Sequence, residues 1–222
     1  MPFSKEVENR EYIEHLLESV SIDHDGVVAD SRQAVTDEFN DRYGTKHDVT
    51  EVSYWNVVVD WCLKLGMDER EAKAINYELW YTPDTLFKAK PISGAIEFLH
   101  ELYMRDKNFV INSSRIPELH ESTVAWYVIH APFVDPDRIR THDTKMKDGL
   151  ASKIYRVQND KRRIHIEDVP EQALMIYKHT SAHVILLSNA RLGNIKSARF
   201  TQIRGEDGQM PDFWAINKMF FD

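Results

Sequence analysis

The chain has 222 residues, a formal charge of −8, 42% hydrophobic and 11% aromatic side chains, and one cysteine, Cys62. That length suits one large domain or one domain carrying an insert, and the composition is that of a globular protein with a real core. An internal disulfide is excluded and the cysteine usage suits a reducing cytoplasm. No apolar run approaches the roughly 20 residues that span a bilayer, and the acidic balance disfavours polymeric nucleic acid as a partner.

The charged, amphipathic N-terminus reads as neither signal peptide nor membrane anchor. Val7, Tyr12, Ile13, Leu16, Leu17 and Val20 approximate a helical stripe, which predicts a leading helix near Lys5–Leu17. Val20-Ser21-Ile22 is a short β-prone run that ends in the acidic turn Asp23-His24-Asp25-Gly26. Ser31–Tyr43 reads as a helix stopped by Gly44. Residues 48–90 are aromatic-rich and helical in pattern, and Pro91 breaks them. Strands and helices then alternate: a helix over Gly94–Arg105, a strand at Phe109–Ile111, a helix over Pro117–Val128 and a weak strand at Ile139. A helix over Gly149–Val157, a strand at Ile164–Ile166, a helix over Glu171–Lys178 and a strand at Val184–Leu187 follow. A last helix is expected near Asp212–Met219. Such alternation implies βαβ units and a parallel sheet covered on both faces. The fold class expected is therefore α/β, a doubly wound parallel sheet, with a small helical cap (31–90) inserted into a core formed by 1–30 and 91–222.

Ligands of open parallel sheets collect outside the carboxyl ends of the strands. Three strand ends here carry chemistry. The first delivers Asp23 and Asp25, which extended geometry turns to the same side while His24 points elsewhere. Two carboxylates that close stay ionised together only beside a cation. The second strand runs into Asn112-Ser113-Ser114-Arg115, whose hydroxyls and backbone N–H groups suit phosphate oxygens. The third delivers Glu167 and Asp168, a second acidic pair at the same edge, and hard oxygen ligands from two strands suit Mg²⁺.

Ile22-Asp23-His24-Asp25-Gly26-Val27-Val28-Ala29-Asp30 resembles the first motif of the haloacid dehalogenase superfamily of phosphatases. Asn112-Ser113-Ser114-Arg115 is similar to its second motif and Ile166-Glu167-Asp168 to its fourth. Pro91-Ile92-Ser93-Gly94-Ala95 is similar to the return from cap to core found especially in the deoxyribonucleotidase branch. The resemblance covers roughly Val20–Leu187. It implies Asp23 as nucleophile and metal ligand, forming an aspartyl-phosphate, and Asp25 as the acid and base. It also implies that Asp25 ligates the metal through its backbone carbonyl, that Ser113, helped by the Ser114 backbone, holds phosphate, and that Asp168 binds Mg²⁺. Glu167 would be a ligand through water or an anchor behind the ligands. The motif lysine is open among Lys145, Lys147 and Lys153; Lys153 is preferred for its place in the helix feeding the last motif strand, and Lys147 comes second.

Each of these residues also has a plainer reading. The acidic turn alone is a common strand-end loop, and the Ser113-Ser114 pair alone is a helix cap. His24 departs from the apolar residue usual at its place and is expected to be packed or hydrogen-bonded. Cys62 reads as a packing residue, Arg162-Arg163 as a solvated charge pair, and Arg115 as a candidate for phosphate or an acidic partner. Among the aromatics Tyr54, Trp55, Trp61, Trp80, Tyr81 and Phe87, core packing is the default, with Trp80 and Phe87 chosen as pocket walls that would touch substrate.

The function expected is Mg²⁺-dependent hydrolysis of a small phosphomonoester, a 5′-(deoxy)nucleoside monophosphate, by a cytoplasmic enzyme that forms no membrane contact and has room to be a homo-oligomer. A sugar phosphate or other organic phosphate is the alternative substrate, and a catalytically silent phospholigand-binding protein is the alternative class.

Overall fold

In the computed structural model the described residues are 11–221, apart from 53, 193, 194, 196 and 206–210. Residues 11–17 are helical (α1) and lead into β1 (Ser19–Ile22); the expected start of this helix lies outside the described residues. Next come α2 (Ser31–Tyr43), α3 (Val57–Lys64), α4 (Glu69–Tyr81), α5 (Pro83–Lys88) and α6 (Ala95–Met104). The second half alternates as β2 (Asn108–Asn112), α7 (His120–His130), β3 (Ile139–Arg140), α8 (Gly149–Asn159), β4 (Ile164–Glu167), α9 (Pro170–His179) and β5 (His183–Leu187). β6 (Phe200–Ile203) and α10 (Trp214–Phe221) complete it.

The six strands form one sheet in the order β3-β2-β1-β4-β5-β6, every neighbouring pair parallel. The chain builds outward from β1 to β3 and then crosses back to place β4 on the other side of β1. That reversal opens a crevice at the carboxyl ends of β1 and β4. Val20 lies opposite Phe109 and Ile164, and Ile22 opposite Ile111 and Ile166. All of these are fully buried, as expected of central strands covered on both faces.

On one face, β1, β2 and β4 pack against α6, α7 and α10 through Phe98, Leu99, Trp126 and Ile216. On the other, Val184 and Leu186 meet Val157, Ala173 and Ile176 of α8 and α9. A separate apolar cluster joins α2, α3 and α4 and includes Phe39, Val58, Trp61, Cys62 and Leu79. Helix α2 serves both groups, since Ala34 belongs to the sheet core while Val35 and Phe39 belong to the helical cluster. Leu86 and Ala89, inside the expected insert, also pack in the sheet core.

The chain leaves β1 and returns from the helical block along adjacent paths. Asp30 N donates to Lys90 O (2.8 Å) and Ile92 N to Val28 O (2.9 Å). This two-way tie holds the α2–α5 block over the carboxyl end of β1. Local sequence closes α2 at both ends. The Asp30 side chain accepts from Gln33 N, and Gly44, at φ 63°, adopts the left-handed conformation that glycine takes without a Cβ penalty.

Two expectations need correction. β6 was not anticipated, because Phe200–Ile203 (FTQI) carries no sustained apolar run; as an edge strand it buries only Ile203. Arg162 is not a solvated charge. It is buried, and its guanidinium donates to Asn108 O and Oδ1, Ser19 Oγ and Asp160.

Candidate active site

Asp23 follows the last residue of β1, and its N–H donates to Ile166 O at 3.0 Å, so the β1–β4 ladder runs one step into the acidic turn. Gly26 makes that turn with φ 70°. A Cβ at Gly26 would stand 1.9 Å from Asp168 Oδ2, so the close approach of the two acidic loops requires glycine there. Ser113 N donates to Arg140 O (2.8 Å), extending the β2–β3 ladder in the same way. Helix α8 is capped by Asp148 and comes so near the second loop that a Cβ on Gly149 would lie 2.6 Å from Ser114 Cβ. Asn112 Nδ2 fixes this helix to the sheet by donating to Lys153 O at 3.3 Å.

These anchors bring Asp23, Glu167 and Asp168 together, with one carboxylate oxygen from each lying within 4.8 Å of the others. Lys153 Nζ reaches into the group, 2.6 Å from Asp23 Oδ2, 2.9 Å from Glu167 Oε2 and 3.1 Å from Gln172 Oε1. Lys145 and Lys147 are exposed on the preceding loop, so of the three candidate lysines Lys153 is the one beside Asp23. Burial works against the Lys153 charge, but Asp23 and Glu167 outweigh it and hold its pKa up. Burial, reinforced by Glu167, raises the Asp23 pKa against the pull of Lys153. Asp168 is pushed up to about 7 by burial, opposed by Arg32 and reinforced by Glu167.

Three buried carboxylates against the Lys153 ammonium and the Arg32 guanidinium leave one excess negative charge, a condition that favours a divalent cation. One buried oxygen, Asp168 Oδ1, has no hydrogen-bond partner. The donor set is all oxygen, so the group fits Mg²⁺.

Asp25 lies apart from this cluster. Arg115 Nε donates to its Oδ2 (2.7 Å), Arg115 Nη2 to its Oδ1 (2.5 Å) and Ser31 Oγ also to Oδ1 (2.5 Å). Burial opposes ionisation of Asp25, yet the Arg115 charge and these hydrogen bonds hold its carboxyl well below the usual range. Its side chain therefore does not join the carboxylate cluster. His24 points to the opposite side, buried, with Nδ1 3.1 Å from Tyr127 Oη and its ring edge-on to Trp126. Burial lowers its pKa to about 3.

A cavity of about 370 Å³ opens above these groups. Asp23, Asp25, Lys153 and Asp168 line it with Arg32, Ser114 and Arg115, and so do the aromatics Tyr54, Trp55, Trp80 and Tyr81. Trp55 stacks on Trp80 with ring centroids 4.6 Å apart and meets Tyr81 edge-on.

Three expectations change here. Ser113 does not line the cavity; it is fully buried and its Oγ accepts from Arg115 N (3.1 Å), so Ser114 is the serine at the wall. Phe87 is not a wall residue either. The six-residue α5 buries Thr85 and Leu86, and helical rotation turns Phe87 outward into a different groove beside Val124 and Val128 of α7. Trp55, Tyr54 and Tyr81, which packing alone would have assigned to a core, share the wall with Trp80. Arg32, which pairs with Asp168 Oδ2, was not anticipated. It stands on a helix without apolar periodicity to mark its direction, and its partner is 136 residues away.

The polar groups of the cavity can hold a cation, present a carboxylate to an electrophile and neutralise an anion. The family model described as 5′ nucleotidase, deoxy (pyrimidine), cytosolic type C protein matches residues 18–188. No curated protein matches the sequence. Among solved structures, a predicted phosphoglycolate phosphatase from Haemophilus somnus is similar at a TM-score of 0.61 and 14% identity, over 92% of this chain and 98% of that one. A haloacid dehalogenase-like family hydrolase from Streptococcus pneumoniae is similar at 0.58 and 13%, over 85% and 94%. A HAD family hydrolase from Deinococcus radiodurans, solved with bound phosphate and sodium, is similar at 0.55 and 13%, over 85% and 92%. These structures share the fold. With the family model spanning the first acidic turn through the last motif strand, the chain belongs to the cytosolic type C 5′ (deoxy)nucleotidase family and is a phosphomonoester hydrolase of the haloacid dehalogenase superfamily.

Proposed function

We propose that this protein is a Mg²⁺-dependent phosphatase that hydrolyses a 5′-(deoxy)nucleoside monophosphate through an aspartyl-phosphate on Asp23. The observation that carries the reading is the position of Asp23. It lies beside Lys153 and two further carboxylates, and it lines a cavity that Tyr54, Trp55, Trp80 and Tyr81 also line.

In this reading Asp23, Asp168 and the backbone carbonyl of Asp25 hold Mg²⁺, with Glu167 behind them. Bound there, Mg²⁺ offsets the carboxylate charge and polarises a phosphate oxygen. Lys153 neutralises the Asp23 carboxylate and the incoming phosphate, and Ser114 donates to a phosphate oxygen. An Asp23 oxygen attacks phosphorus; the bond from phosphorus to the ester oxygen breaks, its electron pair staying on oxygen, and Asp25, which Arg115 and Ser31 hold as the carboxylate and which must therefore take a proton from solvent first, supplies that proton to the oxygen. A water then gives its proton to Asp25 and attacks the same phosphorus, releasing inorganic phosphate and restoring Asp23. Positioning and charge stabilisation supply most of the rate in such transfers.

The aromatic wall favours a nucleobase over an aliphatic remainder, since every base offers a face for stacking. In this reading residues 31–90 are the cap that sets substrate choice, and 1–30 with 91–222 are the core that performs the chemistry. The family description, cytosolic, agrees with a cytoplasmic enzyme, and no described helix is long and apolar enough to cross a membrane. The test is a panel of phosphorylated metabolites with and without Mg²⁺. Turnover of nucleoside monophosphates ahead of sugar phosphates, abolished by chelation, supports the proposal; metal-independent turnover, or preference for a sugar phosphate, overturns it.

A further inference from the structure

We propose that Arg115 couples phosphate binding to the placement of Asp25, bridging the two through opposite edges of one guanidinium. The inference rests on the functional reading above, in which Asp25 serves the leaving oxygen.

One edge of the guanidinium is engaged. Nε and Nη2 make two donor contacts to the two oxygens of Asp25, at 2.7 and 2.5 Å. Ser31 Oγ adds a third contact at 2.5 Å, so this carboxylate is fixed in rotation as well as in place. The other edge is not engaged: Nη1 is buried and has no hydrogen-bond partner. Buried donors of folded proteins are nearly always paired, and the Arg115 side chain is only 6% exposed. The residue lines the cavity, and so does Ser114, whose Oγ is also buried without a partner. Two unpaired donors on consecutive residues that line one cavity are what an anion with several oxygens would satisfy.

The backbone holds Arg115 for this task. Its N–H donates to Ser113 Oγ (3.1 Å) and its carbonyl accepts from His142 N (2.8 Å). The side chain starts from a fixed point and has little freedom to follow a ligand. Only arginine fits both roles. Its planar fork presents parallel donors to a carboxylate on one side and keeps N–H groups on the other, whereas a lysine ammonium is a single point charge. Phosphate bound at Nη1 and the Asp25 carboxylate therefore share one fixed guanidinium plane, and that plane sets where the ester oxygen stands relative to Asp25. The chemistry is unchanged: the proton moves from Asp25 to the leaving oxygen as the phosphorus–oxygen bond breaks.

The two roles separate experimentally. Phosphate anchoring acts on every phosphate ester alike. Placement of the proton donor matters for an aliphatic alcohol leaving group, a strong base as it departs, and little for a p-nitrophenolate leaving group, which departs without a proton. The experiment measures inorganic phosphate binding by calorimetry with Mg²⁺ present. It also measures kcat/KM for an alkyl phosphate and for p-nitrophenyl phosphate, in wild type, Arg115→Gln and Arg115→Lys, with thermal melts to establish folding. Arg115→Gln is expected to weaken phosphate binding by about tenfold to a hundredfold, the usual scale for losing a charge-assisted hydrogen bond. It is also expected to lower kcat/KM at least tenfold further for the alkyl than for the aryl ester. Arg115→Lys is expected to recover much of the phosphate binding but not the alkyl-to-aryl ratio, and it carries the test should the glutamine variant fail to fold.

A folded Arg115→Gln protein that binds phosphate as wild type does overturns the proposal whether or not the protein turns over substrate. So does an equal loss for the two esters, in either variant. Failure of the functional reading looks different: wild-type protein binds phosphate with Mg²⁺ but releases none from any ester.

Discussion

Lys153 Nζ lies 2.6 Å from Asp23 Oδ2, and both side chains are almost wholly withdrawn from solvent. The same ammonium serves Glu167 at 2.9 Å. Removing it leaves two buried carboxylates facing each other uncompensated. Breaking a buried pair from one side costs about 3–5 kcal/mol, and losing one electrostatic contact to a transferring group costs about 10²–10³ in rate. Lys153→Met should therefore lower both the denaturant midpoint and kcat, and Mg²⁺ should restore part of the stability and none of the missing lysine's rate. Urea titrations with and without Mg²⁺, beside steady-state kinetics, check this.

Gly26 is where the two acidic loops touch. A methyl group there meets Asp168 Oδ2 and must also adopt a positive φ, a conformation that costs a non-glycine residue of order 1–3 kcal/mol. Gly26→Ala should displace Asp168 and weaken cation binding. Thermal melts read this directly. A ligand that binds only the folded state raises stability with its concentration, so Mg²⁺ should raise the wild-type midpoint and raise that of the variant much less.

Trp55 is 45% exposed and stacks on Trp80 across the cavity wall. Its exposure makes it a site where substrate contact can be removed with little effect on folding. Base–aromatic stacking is worth about 1–3 kcal/mol. Trp55→Leu should raise KM for a nucleoside monophosphate by roughly five- to a hundredfold and leave KM for an alkyl phosphate without a base unchanged. Equal shifts for both would assign Trp55 to the packing of the helical block.

The order of elements, the parallel sheet and the convergence of Asp23, Asp168 and a lysine were legible from the sequence. Short apolar runs such as Val20-Ser21-Ile22 and Ile164-His165-Ile166 have few alternatives once they alternate with amphipathic helices, and parallel pairing then puts their acidic ends at one edge. What was not legible depends on direction at the scale of a single residue. Ser113 and Ser114 are equivalent in a linear reading, but the first turns back to cap Arg115 N while the second faces the cavity. Phe87 and Trp80 look alike in sequence, and only the start of α5 at Pro83 rotates Phe87 away. Arg32 and Arg115 each find a carboxylate far along the chain, and no local pattern announces such a pairing. Phe200–Ile203 forms an edge strand that the neighbouring β5 recruits, with little apolar signal of its own.

Acid should destabilise the fold through a half-buried histidine. His183, packed where β5 meets β6 with Nε2 2.8 Å from Thr201 Oγ1, has its pKa lowered from the usual 6.5 by burial and by Arg199. Below pH 6.5 the unfolded chain takes up a proton more readily than the folded state does, so stability falls as pH drops, by less than the roughly 1.4 kcal/mol per pH unit of a fully buried group because solvent reaches and screens this one. Above pH 6.5 the contribution is fully present and level. Relative to wild type, His183→Gln should therefore gain stability progressively from pH 6.5 to pH 5, read by urea denaturation at each pH. A constant offset between the two proteins would contradict this.

Passage of the phosphoryl group through Asp23 can be caught by rapid acid quench of the Mg²⁺-loaded protein with a nucleoside monophosphate labelled in its phosphate, followed by mass mapping of the labelled peptide. Transient label on Asp23 is expected in the wild type, with neither label nor turnover in Asp23→Asn. Label at another side chain, or an Asp23→Asn protein that still turns over substrate at the wild-type rate, would contradict it.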